Sequence, residues 1–226
     1  KQTEDGAGDI EPIKAGDAVL YVSRSTIKVR ELLFSFQSDK HLSANLALLS
    51  EHIPRTGIAQ IVHVEEPDGI VYLRLTNGTV ASFTYKRDEN VIGWQTQTFA
   101  GTNVEVESMA SIPSVDGKSN TLYLIVKRTI NGATVRYIEF LENRLQPTSP
   151  TDKDDLFYVD SGATYAGSAA TVITGLSHLQ GQVVQILADG ASHPDKTVSS
   201  GQITLDRSAS KVQVGLKYTS TLVALP

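Results

Sequence analysis

The sequence predicts an all-β fold, and three observations carry that expectation. From Ala18 onward, short runs rich in Val, Ile, Tyr and Thr alternate with Gly, Asn and Asp, the chemistry of strands broken by turns. Two Asn-Gly pairs stand between such runs: Asn77-Gly78 separates Ile70–Leu75 from Thr79–Tyr85, and Asn131-Gly132 separates Leu122–Val126 from Thr134–Phe140. Asn-Gly supplies the positive φ angles of tight hairpins. Finally, Tyr21, Tyr72 and Tyr123 stand 51 residues apart, each between aliphatic residues. A period near 50 residues with several strands per period predicts propeller-like blades.

Taken in order, residues 1–17 open on a polar, Gly-rich stretch and are expected to form a flexible N-terminal arm. Residues 18–145 are expected to form a domain of blade-like antiparallel sheets. Each copy of the Tyr repeat leads into a turn and a second strand, although the first turn has only Ser25-Thr26 and the third arrives three residues late. One short helix is expected inside this domain. Leu42, Leu46, Leu49 and Ile53 recur at spacings of three and four between Ser38 and Pro54; Ser38 or Asp39 caps the start and Pro54 ends it. Residues 146–155, with Pro147, Pro150 and three Asp, read as a linker. Residues 156–226 are expected to form a small β-sandwich or barrel, with strands over Ala170–Thr174, Gln182–Leu187, Gln202–Leu205, Lys211–Val214 and Thr219–Leu225. Asp189-Gly190 and Ser200-Gly201 mark turns within it.

Composition narrows the chemistry. The 226 residues include no Cys, which removes disulfides, thiolate metal sites and Cys nucleophiles. Net charge is −5 with acids and bases interspersed, so no basic stripe of the kind duplex DNA demands is present. The longest apolar runs, such as Ile70–Leu73, fall far short of a membrane span. The chain begins at Lys1 without Met, as expected of a fragment or a processed form.

Candidate reactive groups do not assemble into a motif. His41 and His52 flank the expected helix without an acidic partner at ligand spacing, whereas zinc needs three or four converging ligands. His63 and Glu65, two apart on one strand, read as a surface contact rather than a catalytic dyad. His178 and His193 read as loop residues. Asp5-Gly6-Ala7-Gly8-Asp9 lacks the later acidic ligand of a calcium loop, and Asp152, Asp154 and Asp155 read as a solvated linker before a cation site. Glu65, Glu66 and Asp68, with Asp88 and Glu89, could in principle serve as a glycosidase carboxylate pair, but both groups fall at expected turns. There is no Gly-x-Ser-x-Gly elbow and no phosphate-cradling Gly loop followed by Lys. The reading is a protein without catalytic, cofactor-binding or metal-binding residues.

Several stretches resemble the tail nozzle proteins (tail tubular B, or stabilisation proteins) of short-tailed bacteriophages and prophages. These are Gly78–Tyr85 running to Gly93-Trp94, Arg128–Gly132 running to Arg136–Glu139, Val159–Gly162, Gly175–Gly190, and Val214–Leu216 running to Tyr218–Ser220. Arg30-Glu31-Leu32, with Leu46-Ala47-Leu48-Leu49 after it, is similar to the family's lead-in. The resemblance spans most of Ala18 to Pro226, and order and spacing carry it rather than any one motif. It implies a virion structural protein, assembled in the host cytoplasm, whose copies form a nozzle or hub ring. Other tail proteins, such as a connector or adaptor, fibres or spikes, would be its partners. DNA would pass through the ring without specific binding, and an acidic lumen would not retain it. The family is usually longer than this chain and has no catalytic residues to carry over. The alternative from residues alone is a carbohydrate-binding or adhesion β-module, which needs exposed aromatic platforms, with Trp94 as the first candidate.

Overall fold

In the computed structural model, residues 5–115, 117–142, 148–149 and 152–222 are described. The fold is all-β, as expected: fifteen strands form four antiparallel sheets, none closed into a barrel, and short 3₁₀ turns are the only helical elements among the described residues.

The first sheet is a meander of β1 (Ile13–Ala15), β2 (Ala18–Val22), β3 (Val29–Ser35) and β4 (Lys40–Asn45), in that spatial order. The second repeats the plan with β5 (Ile58–Val64), β6 (Ile70–Leu75), β7 (Val80–Lys86) and β8 (Val91–Gln97). The third has three strands, β9 (Thr102–Pro113), β10 (Asn120–Ile130) and β11 (Ala133–Phe140). The 51-residue repeat is therefore structural. Tyr21, Tyr72 and Tyr123 each lie on the second strand of their meander, and the aliphatic neighbours Leu20/Val22, Val71/Leu73 and Leu122/Leu124 are all buried. Period-2 alternation explains this: the two neighbours of each Tyr share the opposite face. Val22 and Leu73 belong to one core, with Leu20, Val29, Ile58, Val71 and Phe83, whereas Leu124 is buried outside that cluster.

The expected helix between Ser38 and Pro54 is replaced by β4 and a turn that leads to a 3₁₀ segment, Pro54–Thr56. Its four spaced aliphatics do not form one stripe. Leu46 is buried, but Leu42 is 43% and Leu49 94% exposed. The open ladder of β3 wins: Leu33 pairs with Leu42 and Arg30 with Asn45. Asn45 Oδ1 then accepts the Ala47 N–H at 3.1 Å and turns the chain away. The stretch expected to be an arm is also partly built in, because Ile13 and Ala15 pair with Leu20 and Ala18 to make β1. Residues 1–4 lie outside the described residues.

The turns follow φ. Asn131 and Gly132 are both positive, at 49° and 77°, as are Asp189-Gly190 and Ser200-Gly201, the pattern of two-residue hairpins. Asn77-Gly78 differs. Only Gly78 is positive, the loop closes through Leu75 and Thr79, and the Asn77 side chain accepts the Thr79 N–H at 3.2 Å.

The C-terminal strands β12 (Asp160–Ile173), β13 (Val183–Ala188), β14 (Ala191–Thr197) and β15 (Ile203–Leu216) form one sheet in the order β12-β15-β13-β14. A single sheet thus stands where a sandwich or barrel was expected. The two strands expected over Gln202–Leu205 and Lys211–Val214 are one strand, β15. Residues 219–222, part of the last expected strand, are not in a strand, and 223–226 lie outside the described residues. Ile173, Leu176, Leu179, Val184, Val212 and Val214 fill this sheet's core.

The chain divides into two compact units. One comprises Lys1–Gln97 with Glu105–Val126, the other Thr98–Val104 with Lys127–Pro226, so the division runs through the third sheet. It does not fall at the expected linker, of which residues 146–147 and 150–151 lie outside the described residues. Asp152–Asp155 form a 3₁₀ turn in the second unit.

Candidate functional site

The first strands of the meanders gather on one side of the first unit. Gln60 on β5 clamps β9 by donating from Nε2 to the Met109 carbonyl at 2.7 Å and accepting the Met109 N–H at 3.0 Å. His63, also on β5, is hydrogen-bonded to the Lys14 backbone of β1. Between these strands lies an open groove of about 450 Å³, lined by Lys14, Gln60, His63, Glu65, Ser111 and Asn120, among others. It brings together the sequence-expected pair His63 and Glu65. Burial holds the His63 imidazole below its usual pKa, against the opposing pull of its bond to Lys14 and of the Glu65 charge. Among the described residues no nucleophile is hydrogen-bonded to His63, and no Phe, Tyr or Trp lines the groove. The arrangement offers polar contacts and a neutral imidazole.

The other candidates are dispersed. His41 packs edge-on against Phe34, with ring centroids 5.3 Å apart. His178 lies in a 3₁₀ turn, its Nε2 2.9 Å from the Ser161 carbonyl. His193 is not in a loop but on β14, buried. It accepts the Asp206 N–H at Nε2, which leaves Nδ1 to donate to the Pro194 carbonyl at 2.8 Å. Sequence reasoning missed β14 because Pro194 interrupts it; the strand stands at a sheet edge, where Pro is tolerated.

Several of the acidic residues are engaged locally, although Asp154 Oδ1 is buried without a hydrogen-bond partner among the described residues. Asp152 Oδ2 accepts the N–H groups of Thr148 and Ser149 at 2.7 and 2.8 Å, which hold its pKa below the usual carboxylate range. Asp155 pairs with Lys211, and Asp154 packs against the turn at Gly190. Glu66 is tied to Asn120 through its backbone. No group of His, Asp and Glu among the described residues converges on a possible metal position.

Two buried charge networks were not legible beforehand. Glu31, on β3, accepts the Tyr85 hydroxyl at 2.6 Å and pairs with Arg87 at 2.6 Å. In the second unit Arg128 is 0% exposed and grips Glu139 with both guanidinium Nη atoms, the Nη2–Oε2 bond measuring 3.1 Å. Gly101 lies beside it at φ +116°, a backbone conformation that favours glycine. Near this pair Asp160 accepts the Ala100 N–H at 2.5 Å. Burial raises the Asp160 pKa, opposed by that bond and by Arg128. The only advance signal was an Arg inside an apolar alternation on β10.

Trp94 is half-buried and packs against the core of the first unit rather than standing out as an exposed platform. Its ring stacks on Phe83 at 4.5 Å and its Nε1 donates to the Leu46 carbonyl at 2.9 Å. No helix among the described residues is long and apolar enough to cross a membrane. No family model matches the chain, and no curated protein matches it either.

Proposed function

We propose that this chain is a structural component of a bacteriophage tail, part of a nozzle or hub ring through which DNA leaves and to which fibres or spikes attach. The observation that carries the reading is the repetition of one module: three consecutive antiparallel meanders with Tyr21, Tyr72 and Tyr123 at equivalent places. Together with the resemblance in order and spacing, this favours a scaffold over an enzyme. The engagement of Glu31, Glu139, Asp152 and Asp155 in local pairs and caps supports it too, since acids so occupied hold structure rather than wait for a substrate. The gathering of β1, β5 and β9 is what successive propeller blades require of their inner strands.

Partners in this reading are other copies in a ring and neighbouring tail proteins in the virion. A sugar-binding role is less favoured, because Trp94 packs against the core and no Phe, Tyr or Trp lines the groove beside His63. Electron microscopy of the full-length protein, alone and with its tail partners, tests the proposal. A ring supports it; a protein that stays monomeric in both conditions, with binding on a glycan array, overturns it in favour of the adhesion module.

A further inference from the structure

Every open sheet exposes two strand edges, and unpaired N–H and C=O groups on an edge template pairing with another strand. Seven of the eight edges here are guarded. β1 has three residues including Lys14, and β4 begins with Lys40. β5 is clamped to β9 by Gln60. β9 carries Glu105, Glu107 and Pro113, and β11 carries Arg136 and Glu139. β12 has three register irregularities along its pairing with β15, and β14 contains Pro194, Asp195 and Lys196. These are the usual devices against edge pairing.

β8 has none of them. Val91–Gln97 contains no charge and no Pro, and pairs with β7 in unbroken register from Val80↔Gln97 to Lys86↔Val91. It ends its sheet, with Val91 42% and Ile92 45% exposed. In a chain with 20% charged residues, seven uncharged residues on the one regular open edge form a surface suited to another strand.

We propose that β8 pairs antiparallel with β8 of a second copy, joining two four-stranded sheets into one of eight. Charge favours a second copy as the occupant. Antiparallel pairing about a two-fold axis sets each strand against its own reversed sequence, so any charge risks meeting its like. Val91–Gln97 presents no charge to oppose. An axis perpendicular to the sheet also keeps faces matched. Ile92, Trp94 and Thr96 oppose Tyr85, Phe83 and Ala81 on the core side, and they would meet the same row from the partner. The exposed flank of Ile92 would then be covered by apolar and Thr surface. This two-fold contact differs from the head-to-tail contacts of a ring and stands or falls apart from them.

Sedimentation of the whole chain between about 5 and 500 μM tests the pairing; an interface this small is expected to be weak. The expected result is a concentration-dependent monomer–dimer equilibrium. Ile92→Lys, and separately Thr96→Lys at an exposed position, should each raise the dissociation constant at least about tenfold, while Leu42→Lys on the already guarded β4 leaves it unchanged. Circular dichroism confirms that each variant is folded. A wild-type chain monomeric at every concentration overturns the proposal, as does a dimer indifferent to both β8 lysines.

Discussion

The Tyr85 hydroxyl donates to Glu31 Oε1 at 2.6 Å, joining the third strand of the second meander to the third strand of the first. Glu31 is buried and also holds Arg87, so a carboxylate inside the apolar core is satisfied from two sides.

Replacing Tyr85 by Phe removes one of these donors. Hydrogen bonds to charged groups contribute about 1.5–3 kcal/mol, and the retained Arg87 places the expected loss near the lower end. Urea unfolding measures it. The fold also raises the Tyr85 pKa, chiefly by burial and then by the bond to Glu31. A raised phenol pKa means that the folded state keeps its proton longer, so stability should decline as pH rises above about 10, the unfolded value. Tyr85→Phe should flatten that alkaline limb; an unchanged limb would remove the role given to this bond.

Arg128→Met should be among the most damaging single changes. It leaves Glu139, and Asp160 beside it, without their buried cation, and breaking such a pair typically costs about 3–5 kcal/mol. Changing both partners, as Arg128→Met with Glu139→Leu, should restore much of the loss, because two apolar side chains leave no uncompensated charge. Denaturant midpoints of the two single variants and the double variant test this. Additive losses would show that the pair is not coupled.

His63 should mark the acid side. Its pKa is lowered, mainly by burial, so the unfolded chain binds this proton more readily. Stability should therefore be lost as pH falls below about 6.5, the unfolded value, toward the depressed folded value. His63→Gln should lessen that loss. Glu65→Ala, on the same groove, should change stability by no more than about 0.5 kcal/mol, the range for surface sites, and no hydrolysis of glycans should be present to lose. Turnover abolished by either change would overturn the structural reading.

The strands were legible where side-chain alternation and turn chemistry agreed. β6 has the bounds read from the sequence, Ile70–Leu75, because an aliphatic run meets a Gly that closes the turn. The Tyr repeat was legible because each copy occupies the same strand of the same meander. The helix over Ser38–Pro54 failed because Leu spacing is local, while the partner that decided the conformation, β3, is supplied by the tertiary fold. β14 was hidden by Pro194, and the first half of β12 by its small residues. In the groove, His63 and Glu65 were visible as a pair, but Gln60 and Lys14 were not. Their roles come from the approach of separate strands, which no spacing within one strand records. Arg128 was hidden for the same reason, since its partner Glu139 lies across a hairpin.

The middle of β6 has both faces covered. Val71, Tyr72 and Leu73 are all buried, and each is paired on both sides, to His63, Val62 and Ile61 of β5 and to Phe83, Ser82 and Ala81 of β7. Solvent reaches such amides only when the surrounding structure opens. In heavy water, deuterium should therefore enter the outer strands β4 and β11 within the earliest times, and Val71–Leu73 last of the first unit, at a rate that reports its whole unfolding free energy.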